Sequence, residues 1–195
     1  KTTGGPAPIA DPDLVEKAAK MLGHANQPMI FVGGGAYDAC EEVKILAETL
    51  QAPVVSYQNG RGVLDERHYL AHTNTAGAIL WDKCDVAISI GCRLQAERMT
   101  WGMDNTIKII HIDIDPTEIT RVMKPDVGIV ADASSATKQI INSLTKYNNK
   151  RASREEEMLN LKGQANKLME KKAGPQMAWL RAIRDALPEN GLFVD

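Results

Sequence analysis

Long apolar runs are missing from this chain: nothing in its 195 residues approaches the roughly 20 consecutive apolar residues of a membrane span, so no membrane partner is expected. An excess of basic residues is missing too. Lys and Arg number 23 against 25 Asp and Glu, a formal net charge of −2, which argues against a polyanion surface and hence against nucleic acid. Aromatic residues make up only 5%, too few for base-stacking platforms. The three cysteines, Cys40, Cys84 and Cys92, form no Cys-x-x-Cys pair and cannot all join in disulfides. Each reads as a buried, inert thiol beside a helix or strand core, a usage that suits a reducing cytoplasm. There is no Gly-x-Ser-x-Gly elbow or other activated nucleophile. The opening "KTTGGPAPIADP" is polar and proline-rich, without the apolar stretch of a signal peptide.

What is present is an alternation. Hydrophobic residues at 44% and charged residues at 25% describe a soluble globular chain, long enough for one domain or for one domain and a piece of another. "DPDLVEKAAKMLGHA" opens a helix, with Asp11 as cap and Pro12 as first helical residue. "PMIFV", "PVVSY", "DVAISIG", "TIKIIHIDI" and "VGIV" are short apolar strands. Between and after them, "YDACEEVKILAETLQ", "AGAILWDKC", "PTEITRVM" and "DASSATKQIINSLTKYNN" read as helices, while Gln58 to Thr75 is loop-rich. This order predicts a doubly wound, Rossmann-like α/β domain over residues 11–148, with a parallel sheet of about five to six strands and helices on both faces. Residues 1–10 read as a linker from a preceding domain, and 149–173 as a charged linker or solvated surface helix with few apolar anchors. Residues 174–195 restart the pattern, with Pro175 at a helix start, a Pro-Glu-Asn-Gly turn and a strand opening at "LFVD". A lone helix and strand cannot bury an apolar face, so this tail is expected to be the edge of a further domain.

In open α/β sheets ligands bind beyond the carboxyl ends of the strands, and that rule collects the candidates. They are Gly33, Gly34 and Gly35 after the first strand, Ser56 and Tyr57 with "NGRG" after the second, and Gly91 to Arg93 after the third. Asp113 and Asp115 follow the fourth, and Asp132 the fifth. The dinucleotide fingerprint fails, because Asp38 stands where its last glycine belongs and "SYQN" where its acidic ribose hook belongs. The glycines suit either a phosphate-cradling turn or a tight strand-to-helix turn. Asp115, before Pro116 and three residues ahead of Glu118, has the pattern of a capping box, and Asp132 that of an N-cap. Asp113 has no such local duty, and its carboxylate suits the two hydroxyls of a ribose. A metal site is not expected, since hard cations want six or more oxygens and no further acids lie near in sequence. His111 reads as a satisfied core residue within a strand. His68 and His72 could share a helix face, but no third zinc ligand accompanies them.

The ordered set "QPMIFVGGGA", "AETLQAPVVSYQNGRGVL", "CDVAISIGCRL", "KIIHIDIDPTEI" and "DVGIVADA" resembles the central domain of thiamine-diphosphate-dependent enzymes over about residues 10–145. That family includes acetolactate synthase, pyruvate oxidase, benzoylformate decarboxylase and oxalyl-CoA decarboxylase. The tail from Gly174 resembles the opening of the family's third domain, which binds the cofactor diphosphate. The resemblance implies a three-domain lyase or transferase, a homodimer or homotetramer, acting on a small 2-keto acid or acyl-CoA. Thiamine diphosphate and magnesium would be held by the other two domains. This segment would then carry no catalytic residue and be inactive alone. In the family the central domain holds FAD, ADP or nothing. By resemblance, Gly33, Gly34 and Gly35 would face a pyrophosphate, Gly91 and Arg93 the same pocket, Asp113 the adenosine end, and Asp132 the same rim. "GCRLQAER" replaces the paired aspartates of the flavin stretch with Gln95 and Ala96, and "NTAG" stands for Gly-x-His-Gly. Both departures disfavour FAD relative to an empty or ADP-like pocket. The alternative class is a free-standing FAD- or ADP-binding module, such as an electron-transfer flavoprotein domain.

Overall fold

The structure is a computed structural model and describes residues 7–102 and 106–191. Six strands form one parallel sheet: β1 (Pro28–Val32), β2 (Val54–Ser56), β3 (Ala71–Thr73), β4 (Val86–Ile90), β5 (Lys108–Asp113) and β6 (Val127–Val130), in the order β3-β2-β1-β4-β5-β6. All five residues of β1 and of β4 are buried, as both faces of these central strands are covered. Among the described residues, five α-helices accompany the sheet: α1 (Pro12–His24), α2 (Cys40–Leu50), α3 (Asn74–Trp81), α4 (Ala133–Leu144) and α5 (Glu155–Ala186). α1, α2 and α4 pack as one layer and α3 with α5 as another. This is the doubly wound architecture that the alternating pattern predicts. It follows from right-handed crossovers that run outward on one side of β1 and return on the other.

Local chemistry explains most element boundaries. Asp11 accepts from the Asp13 N–H at 2.9 Å and Pro12 stands at the first helical position, so α1 starts where the sequence signals it. Asp132 caps α4 through the Ser135 N–H at 2.8 Å. Under α3, Phe31, Trp81 and Trp101 form an aromatic cluster, with the Phe31 and Trp81 rings edge-to-face at 5.7 Å.

Three expectations need correction, and a fourth, linker or surface helix after residue 149, resolves to the helix. Residues Ala71–Thr73 form an edge strand, paired with β2 at Val54↔Ala71, Val55↔His72 and Ser56↔Thr73, inside the stretch read as loop. His72 therefore lies on a strand, and it shares no helix face with His68. "PTEITRVM" is not a helix but successive tight turns, in which the Glu118 N–H donates to the Asp115 carbonyl and the Arg121 N–H to the Glu118 carbonyl. The buried Ile119 is drawn onto the sheet against Gly128, and its carbonyl lies 3.3 Å from His111 Nδ1, which competes with continued helix. The charged stretch after residue 149 is helical over most of its length and is anchored by buried Met158, Leu161 and Ala165. α5 breaks at Ala173 (φ −133°, ψ 39°), just before Pro175, so the second half begins where a proline start is expected. Residues 188–191 turn as the Pro-Glu-Asn-Gly sequence suggests, through a Gly191 N–H to Pro188 carbonyl bond of 2.8 Å. The strand expected at "LFVD" and the start of the N-terminal linker lie outside the described residues.

Candidate functional site

The strand order reverses between β1 and β4, and a cleft of about 370 Å³ opens there, at the carboxyl ends of β1, β2, β4 and β5. It is lined by Gly33 and Gly34 after β1, Tyr57, Gln58 and Asn59 after β2, Gly91, Cys92, Arg93 and Gln95 after β4, and Asp113 at the end of β5. Five of the seven residues that the family resemblance assigns to the pocket thus meet at one place: Gly33, Gly34, Gly91, Arg93 and Asp113. Gly35 and Asp132 are not among the lining residues.

Two of the glycines serve the packing of loop on loop. A Cβ on Gly33 would stand 2.4 Å from the Gly91 carbonyl oxygen, and one on Gly91, whose φ is +59°, 2.5 Å from the backbone of Gly35. Only glycine allows the two loops to touch in this way. The Gly33 N–H donates to the Ile90 carbonyl at 3.2 Å and the Gly35 N–H to the Gly91 carbonyl at 3.3 Å. These two N–H groups join the β1 and β4 loops and are directed at backbone carbonyls, as a tight turn would have them.

The charged groups of the rim are likewise engaged with one another. The Arg93 guanidinium donates to Glu118, which also accepts from Arg121. These two cations hold the Glu118 carboxyl below its ordinary range. Glu118 therefore does not reach back to the Asp115 N–H as a capping box would require; Asp115 instead accepts from the Thr117 N–H and hydroxyl, both at 2.8 Å. Asp113 does have a local duty: its Oδ1 accepts from the Asp115 N–H at 3.0 Å, an Asx-type bond that shapes the turn after β5. Its Oδ2 stands 3.9 Å from His111 Nε2. Burial pushes the His111 pKa down, against the opposing pull of Asp113.

One pair escaped the sequence reading. Glu97, in a π-helical turn over Glu97–Trp101, is fully buried and accepts from the Tyr57 hydroxyl, while its Oε1 has no partner among the described residues. Burial raises the Glu97 pKa, with the Tyr57 bond pulling the other way. Burial and the neighbouring Glu97 raise that of Tyr57. Nothing in "LQAER" marks Glu97 as interior; only the return of the chain over the sheet puts it there. Cys92 lies beside this pair, and its thiol, like that of Cys84, is pushed up to about 12, first by burial. Cys40 is half-buried, with its Sγ 3.1 Å from the Tyr37 carbonyl oxygen, so it departs from the buried-thiol expectation.

The sheet order and the switch-point cleft define the class, a doubly wound α/β domain. Residues 15–140 match the family described as "Thiamine pyrophosphate enzyme, central domain", and the chain belongs to that family. It is 38% identical over 156 residues to a "Probable acetolactate synthase large subunit" of Methanococcus aeolicus, covering 74% of this chain and 26% of that protein. It is also 33% identical over 152 residues to an acetolactate synthase large subunit of Corynebacterium glutamicum, covering 71% and 24%. The chain thus spans about a quarter of the length of these relatives. Its fold matches the crystal structure of a candidate thiamin diphosphate-dependent enzyme from Mycobacterium smegmatis, with a TM-score of 0.63, 18% identity, and coverage of 77% of this chain and 31% of that one. The comparisons lend no support to the free-standing flavoprotein alternative. Among the described residues, no helix is long and apolar enough to cross a membrane.

Proposed function

We propose that the chain serves as the structural, non-catalytic middle of a thiamine-diphosphate-dependent 2-keto acid decarboxylase and carboligase of the acetolactate synthase kind. The observation that carries this reading is the state of the cleft. Arg93 is paired with Glu118, Asp113 with the turn that follows it, and Gly33 and Gly35 with neighbouring carbonyls. These groups hold loops in place. The residues do not fit thiamine diphosphate with magnesium: a single carboxylate, Asp113, lines the cleft, whereas magnesium wants a near-octahedral oxygen set. Among the described residues, no group of three or more His, Cys, Asp or Glu side chains is placed to hold a metal ion. That cofactor's chemistry is assigned to domains outside this chain. A volume of about 370 Å³, at the small end of ligand pockets, suits an ADP-sized group better than FAD should the cleft hold a nucleotide. In this reading residues 11–148 are the central domain, 149–173 the connection to the next, and 174–195 the start of the diphosphate-binding domain. The whole enzyme is a cytoplasmic homodimer or homotetramer.

The test is the source reading frame on both sides of this segment. A Gly-Asp-Gly…Asn motif downstream and an α/β domain with an activating glutamate upstream are expected. A stop codon directly after Asp195 would overturn the proposal. Carbon dioxide release from pyruvate by the purified 195-residue chain, given thiamine diphosphate and magnesium, would overturn the assignment of catalysis to other domains.

A further inference from the structure

Away from the cleft, one buried side chain has both of its polar atoms unmatched. His72, on edge strand β3, is 5% exposed, and neither ring nitrogen has a hydrogen-bond partner among the described residues. Buried polar groups are paired in the great majority of cases, so an exception asks for a ligand or water. The ring borders a partly open cavity of about 210 Å³ between β3, the start of α3 and the first half of α5, which contributes Lys162 and Asn166. At roughly 30 Å³ per molecule this is room for about seven waters, or for a small ion with a few of them.

The charges around the cavity favour an anion. Lys162 Nζ donates to the carbonyls of Glu66 and His68 at 2.8 and 2.7 Å. Those bonds position the ammonium without neutralising it, and one of its three donors is left over. The acids that act on it are Glu66, which also borders the cavity, and Asp65, which is itself paired with Arg67. Arg154, at the head of α5, adds positive potential at His72 although it pairs with Glu157. His68 Nε2 is taken by Glu48 at 3.1 Å. Burial first, and then Lys162 and Arg154, push the His72 pKa down to about 4. The Tyr69 backbone pulls the other way without a bond of good geometry, so the ring is neutral at physiological pH, with one N–H that an anion could take.

We propose that this cavity is a binding site for a small oxyanion, a carboxylate or phosphate group, which accepts hydrogen bonds from His72 and Lys162 and ties the edge strand to α5. The site is separate from the switch-point cleft and does not depend on what that cleft holds.

The test follows the imidazole resonances of the full chain by NMR during separate titrations with inorganic phosphate and with acetate at constant ionic strength. The expected result is a saturable shift of the His72 signals by at least one anion, with His24 and His111 unmoved. The His72 titration midpoint should rise on saturation, because the anion supplies a counter-ion to the protonated ring. The anion that saturates at lower concentration identifies the ligand chemistry. Lys162→Met, which keeps most of the stem, should weaken binding by roughly tenfold or more, as expected for loss of a charge-assisted bond. If neither anion moves His72, or if shifts are confined to the other histidines, the cavity holds only water and the proposal is wrong. Unchanged affinity in folded Lys162→Met would equally overturn it. The titration of the unaltered chain decides the matter even if a variant does not fold.

Discussion

Gly91→Ala is the sharpest test of how the switch point is built. The new methyl would sit 2.5 Å from the Cα and carbonyl carbon of Gly35 and 2.9 Å from the Ala36 nitrogen, where carbon atoms ordinarily stay about 3.5–4.0 Å apart. All of these neighbours are backbone, so no rotamer change relieves the overlap. Two costs add: about 1–2 kcal/mol for an L-residue at positive φ and about 1–3 kcal/mol for overpacking. Their sum, about 2–5 kcal/mol, should lower the melting temperature on the order of 10 °C in a chain of this size. Gly62→Ala is the matched control, since Gly62 has φ +91° and nothing within 4 Å of a built Cβ. Only the first cost applies there, and the unfolded-state gain from replacing glycine is common to both variants. Thermal unfolding followed by circular dichroism measures the difference. If Gly91→Ala is no less stable than Gly62→Ala, then the close approach of the β1 and β4 loops is not what demands glycine.

Other expectations follow from the same geometry. Because burial raises the Glu97 pKa, the folded state binds more protons than the unfolded state between the two values, and stability falls as pH rises through that window. Glu97→Gln should flatten this slope, and an unchanged slope in pH-dependent melting would refute the argument. Met158→Ala or Leu161→Ala should each cost about 2–5 kcal/mol, since both side chains are buried in the core and anchor α5 there. Trp179→Ala, at a side chain 74% exposed, should stay within about 0.5 kcal/mol; denaturant titrations that rank these the other way would dismiss the docked arrangement of α5. A disulfide reagent should react rapidly with Cys40 alone in the native protein and with all three cysteines after denaturation, whereas fast reaction at Cys92 would contradict its burial.

The legible parts of this fold were those with a local cause. Asp11 with Pro12, and Asp132 ahead of "ASSATKQII", mark helix starts because capping is a matter of a few adjacent atoms. The apolar runs of β1 and β4 mark central strands because burial on both faces leaves no polar alternation. The strand-end rule collected Gly33, Gly91, Arg93 and Asp113 before any coordinates, since every parallel strand delivers its next residue to the same rim. The helix expected at 116–123 failed for the opposite reason. A proline start and a capping pattern are local, but the pull of Ile119 onto Gly128 and of Glu118 toward Arg93 comes from segments distant in the chain.

By itself, then, the sequence determined the alternation of strands and helices, the caps at Asp11 and Asp132 and the membership of a family, all of which depend on nearest neighbours or on ordered motifs. Tertiary structure alone decided that Ala71–Thr73 pairs as an edge strand and that Glu97 is buried against Tyr57. It also decided that Arg93 is spoken for by Glu118 and that His72 faces a cavity beside Lys162. Those four facts join residues that are brought together only when the sheet closes and α5 folds back over it, and no local pattern encodes a contact of that kind.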